Sequence, residues 1–171
     1  SLNALSKWPI SIQETPYKEA ICHLTTIIPE KIAKFHAREI ANALNALSKW
    51  PISIHEPPYQ AAIQALVRTI PEQASLFIPQ GINNSLNALS KWPISVHETP
   101  YQEAIHSLMA TILKQVNTFS MRDIAGMLNA LSKWPISTHA SPYQETIQAL
   151  VRAIPQQVKL FTAQNISNSL N

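Results

Sequence analysis

Glycine is nearly missing from this chain. Only Gly81 and Gly126 occur in 171 residues, so glycine-rich phosphate loops and the left-handed turns of all-β folds have almost no raw material. Cysteine is scarcer still. Cys22 stands alone; it can form no internal bridge, and no Cys/His cluster at zinc-like spacing accompanies it. Neither a disulfide, a structural metal nor a cofactor is expected. No apolar run approaches the roughly 18 residues of a membrane span, and no charged segment leading into an apolar stretch marks a signal peptide. Charged residues make up only 13% against 46% apolar, which fits a packed helical protein better than a disordered one.

What is present is repetition. The octapeptide Asn-Ala-Leu-Ser-Lys-Trp-Pro-Ile begins at Asn3, Asn45, Asn87 and Asn129, each copy 42 residues after the last. A period between 20 and 50 residues marks an array whose units bury their apolar faces against neighbours. The repeats run 3–44, 45–86, 87–128 and 129–170 within a single segment, 1–171. Neither end departs from the interior pattern, so the sequence predicts an excerpt of a longer array with uncapped ends open to end-to-end association.

Each unit reads as two helices. Thr99-Pro100-Tyr101-Gln102 offers a hydroxyl N-cap, proline at the first helical position and an amide at the third, a capping box. Ser141-Pro142-Tyr143-Gln144 repeats it, Thr15-Pro16-Tyr17-Lys18 keeps the cap without the amide, and Pro57-Pro58 loses the side-chain cap. Downstream, Ile105, Leu108, Met109, Ile112, Val116 and Phe119 fall on one helical face, as do Ile147, Leu150, Val151, Ile154, Val158 and Phe161. Pro29, Pro71 and Pro155 interrupt this longer helix and predict a kink or break. Leu113 replaces them in the third unit, whose helix should run straighter. The second helix carries Ile124, Leu128, Leu131 and Trp134, with Ser120 or Thr162 capping its start and Pro135 ending it. The short link from Pro135 to Ser141 joins the two as a helical hairpin.

Several rows invite chemistry. His55, His97 and His139 share one register, but equivalent positions in stacked units lie about 8 to 10 Å apart, too far for ligands that zinc needs at about 2.0 to 2.1 Å. Cys22 and His23 adjoin on a helix, where neighbours do not face each other. Trp8, Trp50, Trp92 and Trp134 either stack on a ligand or fill the space between units, with the indole N–H on a carbonyl.

The charge distribution points to the motif. Thirteen Lys and Arg include Lys7, Lys49, Lys91 and Lys133; without these four, nine face ten Asp and Glu. The basic excess is one row. Lys49, Lys91 and Lys133 either track phosphates or complement the helix C-terminal dipole. Asn45, Asn87 and Asn129 are poor helix formers held in every unit, either as an inter-unit hydrogen-bond ladder onto the next helix or as a binding row. Specificity would lie where units differ: Arg38, Glu39, Gln80, Arg122, Asp123, Gln164 and Asn165.

Four copies of Ser-Lys-Trp-Pro at this period resemble the SKWP-repeat family of type III secreted effectors of plant-pathogenic bacteria. The resemblance implies HEAT/armadillo-like units in a right-handed, all-α solenoid. It further implies secretion into a host cell and a virulence role in the host cytoplasm or nucleus. No catalytic residues come with it. Phe119-Ser120-Met121-Arg122-Asp123-Ile124 through Leu131 is also similar to the octatricopeptide repeats of organellar RNA-binding proteins, which have a shorter unit. The function expected is a non-enzymatic scaffold that binds a host protein. The alternatives are single-stranded RNA binding along the Lys and Asn rows, or a self-assembling structural array.

Overall fold

The structure, a computed structural model, describes residues 15–50, 56–92, 98–134 and 141–158. Within these the chain is helical, with no strand among the described residues. Seven α-helices follow one another there: α1 (Thr15–Lys31), α2 (Ala37–Leu47), α3 (Pro57–Gln73), α4 (Pro79–Leu89), α5 (Thr99–Gln115), α6 (Met121–Leu131) and α7 (Tyr143–Val158). Long and short helices alternate. Long packs on long, in the order α1, α3, α5, α7, and short on short, in the order α2, α4, α6. Each short helix also packs on the long helix that follows it, so the core lies between two helical layers.

The long helices begin slightly away from the positions their sequence signals predict. Thr99 is the first residue of α5 rather than its cap; Glu98 caps it in extended geometry without a side-chain bond, and the Gln102 N–H donates to the Glu98 carbonyl at 3.1 Å. Proline fixes a helical φ and needs no donor at either of the first two positions, so it suits the second as well as the first. Glu56 caps α3 in the same way ahead of Pro57 and Pro58. In the last unit the helix starts at Tyr143, and the Ser141 hydroxyl donates to Glu145 Oε1 at 2.8 Å instead of accepting from a backbone N–H. The expected capping boxes at Thr99 and Ser141 are therefore not formed.

The prolines do not break these helices. Pro29, Pro71 and Pro155 lie inside α1, α3 and α7, and α5, with Leu113 at that register, ends at the same position as α3. A proline within the last turn forfeits one backbone bond, and the helix is held by its packed face instead. What ends the helix is a short 3₁₀ turn, Ile32–Lys34, Ala74–Leu76 or Val116–Thr118. After it the chain is extended and buries Phe77 and Phe119. These phenylalanines reach the core from beyond the helix, not along its stripe.

The short helices match their predicted stripe. Ile40, Leu44 and Leu47 are buried on α2, as are Ile82, Leu86 and Leu89 on α4; each such side chain contributes about 1.5–3 kcal/mol on leaving water. Ser120 caps α6: its Oγ accepts from the Asp123 N–H at 3.3 Å, and Asp123 Oδ2 accepts from the Ser120 N–H at 3.0 Å. His36 and Glu39 start α2 with a similar return bond, His36 N–H to Glu39 Oε2 at 3.2 Å.

Two residues record how closely the short helices approach. A Cβ built on Gly126 of α6 would lie 3.0 Å from Asn83 Cγ of α4, so glycine here makes room for asparagine. The equivalents of Asn83 in the flanking units are Ala41 and Ala125, and the equivalents of Gly126 in the first two units are Asn42 and Asn84. The bulky partner has changed sides at this one interface.

Candidate functional site

The recurring motif forms a tight turn at the end of each short helix. The helix stops at Leu47, Leu89 and Leu131, four residues before the motif proline. The serine ends it. Ser48, Ser90 and Ser132 each donate a hydroxyl bond back to the carbonyl of Asn45, Asn87 or Asn129, at 3.0 Å in all three. The following lysine N–H donates to the carbonyl of Ala46, Ala88 or Ala130, and the tryptophan N–H to that of Leu47, Leu89 or Leu131. Side-chain competition for last-turn carbonyls is how serine closes a helix. Tryptophan, preceding proline, is biased out of the helical region as well.

This turn sends alternate residues in opposite directions. Trp50, Trp92 and Trp134 turn inward and are buried, which excludes them as a stacking platform and makes them the packing wedge. The carbonyl bond expected of the indole N–H is not made at Trp134, whose Nε1 is buried without a partner. Lys49, Lys91 and Lys133 turn outward and are exposed.

The lysines form a row close enough for mutual repulsion. Burial lowers the pKa of Lys91 below its ordinary value, and the charges of Lys49 and Lys133 on either side lower it further. One cross-link ties this row to the asparagines: Lys133 Nζ donates to Asn87 Oδ1 at 3.0 Å, between neighbouring units. The Asn87 amide thus bonds a lysine side chain rather than the next helix. All three asparagines sit in the last helical turn, where their propensity cost is smaller than at mid-helix.

The variable residues lie elsewhere. Arg38, Gln80 and Arg122 are exposed at the second position of α2, α4 and α6, with Glu39 and Asp123 engaged in capping beside them. Along an eleven-residue helix the Arg/Gln row lies about 10 Å from the Asn row, seven residues on, and about 16 Å from the Lys row, eleven residues on, at 1.5 Å per residue. The predicted positions therefore make two rows at opposite ends of the short-helix layer. Gln164, Asn165, Lys7, Trp8, Thr162, Phe161 and the histidines at 55, 97 and 139 lie outside the described residues.

Some contributors carried signals that went unused. Ser48, Ser90 and Ser132 recur at one register, as do Tyr59, Tyr101 and Tyr143. The Tyr59 hydroxyl donates to the Leu47 carbonyl and that of Tyr143 to the Leu131 carbonyl. Gln73 Nε2 donates to the Phe35 carbonyl at 2.7 Å, across units; its register changes to lysine at Lys31, which hides it.

Cys22 and His23 are exposed on α1. Among the described residues no group of three or more His, Cys, Asp or Glu is placed to hold a metal ion, and no helix there is long and apolar enough to cross a membrane. In comparisons with known proteins, the chain matches no family model, no curated protein and no solved structure.

Proposed function

We propose that this chain is a stretch of a right-handed α-solenoid of four HEAT/armadillo-like units, acting without catalysis as a scaffold that holds a protein partner along an extended face. The carrying observation is that register-equivalent helices pack in sequence, long on long and short on short, so equivalent side chains recur along one line. Such a line suits an extended partner contacted unit by unit. Following the resemblance of the Ser-Lys-Trp-Pro motif, the partner is a host protein, met after type III secretion into the host cytoplasm or nucleus. Crosslinking with mass spectrometry in a host extract tests it. Enrichment of a protein crosslinked through the Lys or Arg/Gln rows is expected; turnover of a substrate traced to residues in this chain overturns it.

A second reading is favoured by one specific feature, the lysine row whose central member is repelled from both sides. Positive charge at regular spacing fits the backbone of single-stranded RNA. Binding to a random RNA pool at low salt, weakening steeply as salt rises and lost on Lys49→Ala with Lys91→Ala, supports this reading; no binding at low salt removes it.

A further inference from the structure

Two large apolar side chains stand in water at the middle of the described helices. Leu76 is 67% exposed and Ile78 is 59% exposed. Neighbouring units lie on both sides of them: α3 packs on the Ile32–Lys34 turn, α5 packs on the Ala74–Leu76 turn, and Gln73 Nε2 reaches the Phe35 carbonyl. Packing between units therefore leaves the pair open.

The backbone sets them side by side. Phe77 between them is extended and buried, and Ile78 is extended as well, so alternation turns Leu76 and Ile78 outward together. One exposed leucine would be ordinary. Ile78, however, also holds the N-cap of α4 without a side-chain bond, where the flanking units place His36 and Ser120, each in a return bond with the carboxylate three residues on. Leu76 likewise stands at the register of Lys34 and Thr118. Neither exchange helps the chain fold, since one forfeits a cap and both expose apolar surface.

The surroundings are basic. The turn segments 31–38, 73–80 and 115–122 carry Lys31, Lys34, Arg38 and Arg122 and no Asp or Glu, and all four cations are exposed. Arg38 and Arg122 lie one unit to either side of Gln80, a step of about 8–10 Å between packed helices. About three residues of extended chain cover such a step.

We infer that this edge binds an extended acidic segment of a protein partner, whose apolar anchors at alternate positions cover Leu76 and Ile78 while carboxylates about three residues away on each side meet Arg38 and Arg122. An anionic membrane surface also takes basic and apolar residues together, but it needs a broad apolar face, and the adjoining positions are Lys34, His36, Thr118 and Ser120. This rests on the protein-scaffold reading above and adds to it the face and the chemistry of the partner.

The test selects random linear peptides, displayed on phage, against the 171-residue chain and measures the enriched peptides by fluorescence anisotropy. Acidic residues on both sides of an apolar pair should be enriched. Leu76→Lys with Ile78→Ser, which installs residues found at 34 and 120, should weaken binding at least about tenfold, and so should Arg38→Glu with Arg122→Glu. Circular dichroism should be unchanged, because all four side chains are exposed; if the first pair disturbs the fold, Leu76→Ser alone makes the same test. No enriched peptide, or binding that either pair of substitutions leaves unchanged, overturns the inference. So does binding to vesicles of phosphatidylserine and phosphatidylcholine that the same variants abolish, with no peptide selected. Failure here while a partner is crosslinked through the Lys row leaves the scaffold reading standing; failure of both removes that reading too.

Discussion

The Tyr59 hydroxyl, buried near the start of α3, donates to the Leu47 carbonyl at the end of α2. One hydroxyl thus joins α3 to the end of α2, and the motif turn is fastened to the helix that follows it. Tyr59→Phe keeps the ring and removes the link, leaving one lone pair of the buried Leu47 carbonyl unmatched. A loss of about 1–3 kcal/mol is expected, read by urea denaturation. A change within error would show that the link carries no stability.

Asn83 and Gly126 form a compensated pair. Gly126→Asn, which installs the residue found at 42 and 84, forces Asn83 aside and should cost about 1–3 kcal/mol through overpacking. Adding Asn83→Ala recreates the combination of the preceding interface and should recover most of that loss. Additive effects in the double-mutant cycle would contradict the contact.

Alkaline pH should unfold the chain through its tyrosines. Burial raises Tyr59 and Tyr143 above the ordinary value, while burial and the Glu98 carboxylate push Tyr101 up to about 12, with Arg68 opposing. The unfolded chain releases these protons first, near pH 10, so the folded state binds more protons above that point and stability falls as pH rises from about 10 towards 12. Phenolate absorbance should appear together with loss of helix. Phenolate formation at pH 10 in a fully helical chain would contradict this.

The lysine row should give the opposite sign. Lys91 is lowered by burial and its two neighbours, so the folded chain releases this proton before the unfolded one, and stability rises as pH climbs through that window towards about 10.5. At neutral pH, Lys49→Gln should relieve repulsion, raising Tm at low salt and less so at high salt. An effect indifferent to salt would assign Lys49 a different role.

Much of the helical pattern is legible from residues alone, because burial follows periodicity: Ile82, Leu86 and Leu89 face inward as their spacing requires. The helix boundaries are less so. Proline is tolerated at either of the first two positions, so Thr99-Pro100 leaves the start uncertain by one residue, and Phe119 matches a helical stripe although a 3₁₀ turn delivers it. Pro71 reads as a breaker, yet packing of Leu66, Val67 and Ile70 outweighs one missing bond. The rows are visible as recurrent Lys and Asn, but their placement towards the opposite end of each short helix from Arg38, Gln80 and Arg122 depends on helix polarity. The exchange between Asn83 and Gly126 needs two chain segments to be seen side by side.

Adding whole units tests the stacking most directly. Chains of four, five and six 42-residue repeats can be compared by small-angle X-ray scattering. Stacked units require the longest dimension to grow by the same increment with every repeat, at constant cross-section. A cross-section that grows while the length stays nearly fixed would contradict the solenoid and the extended binding face built on it.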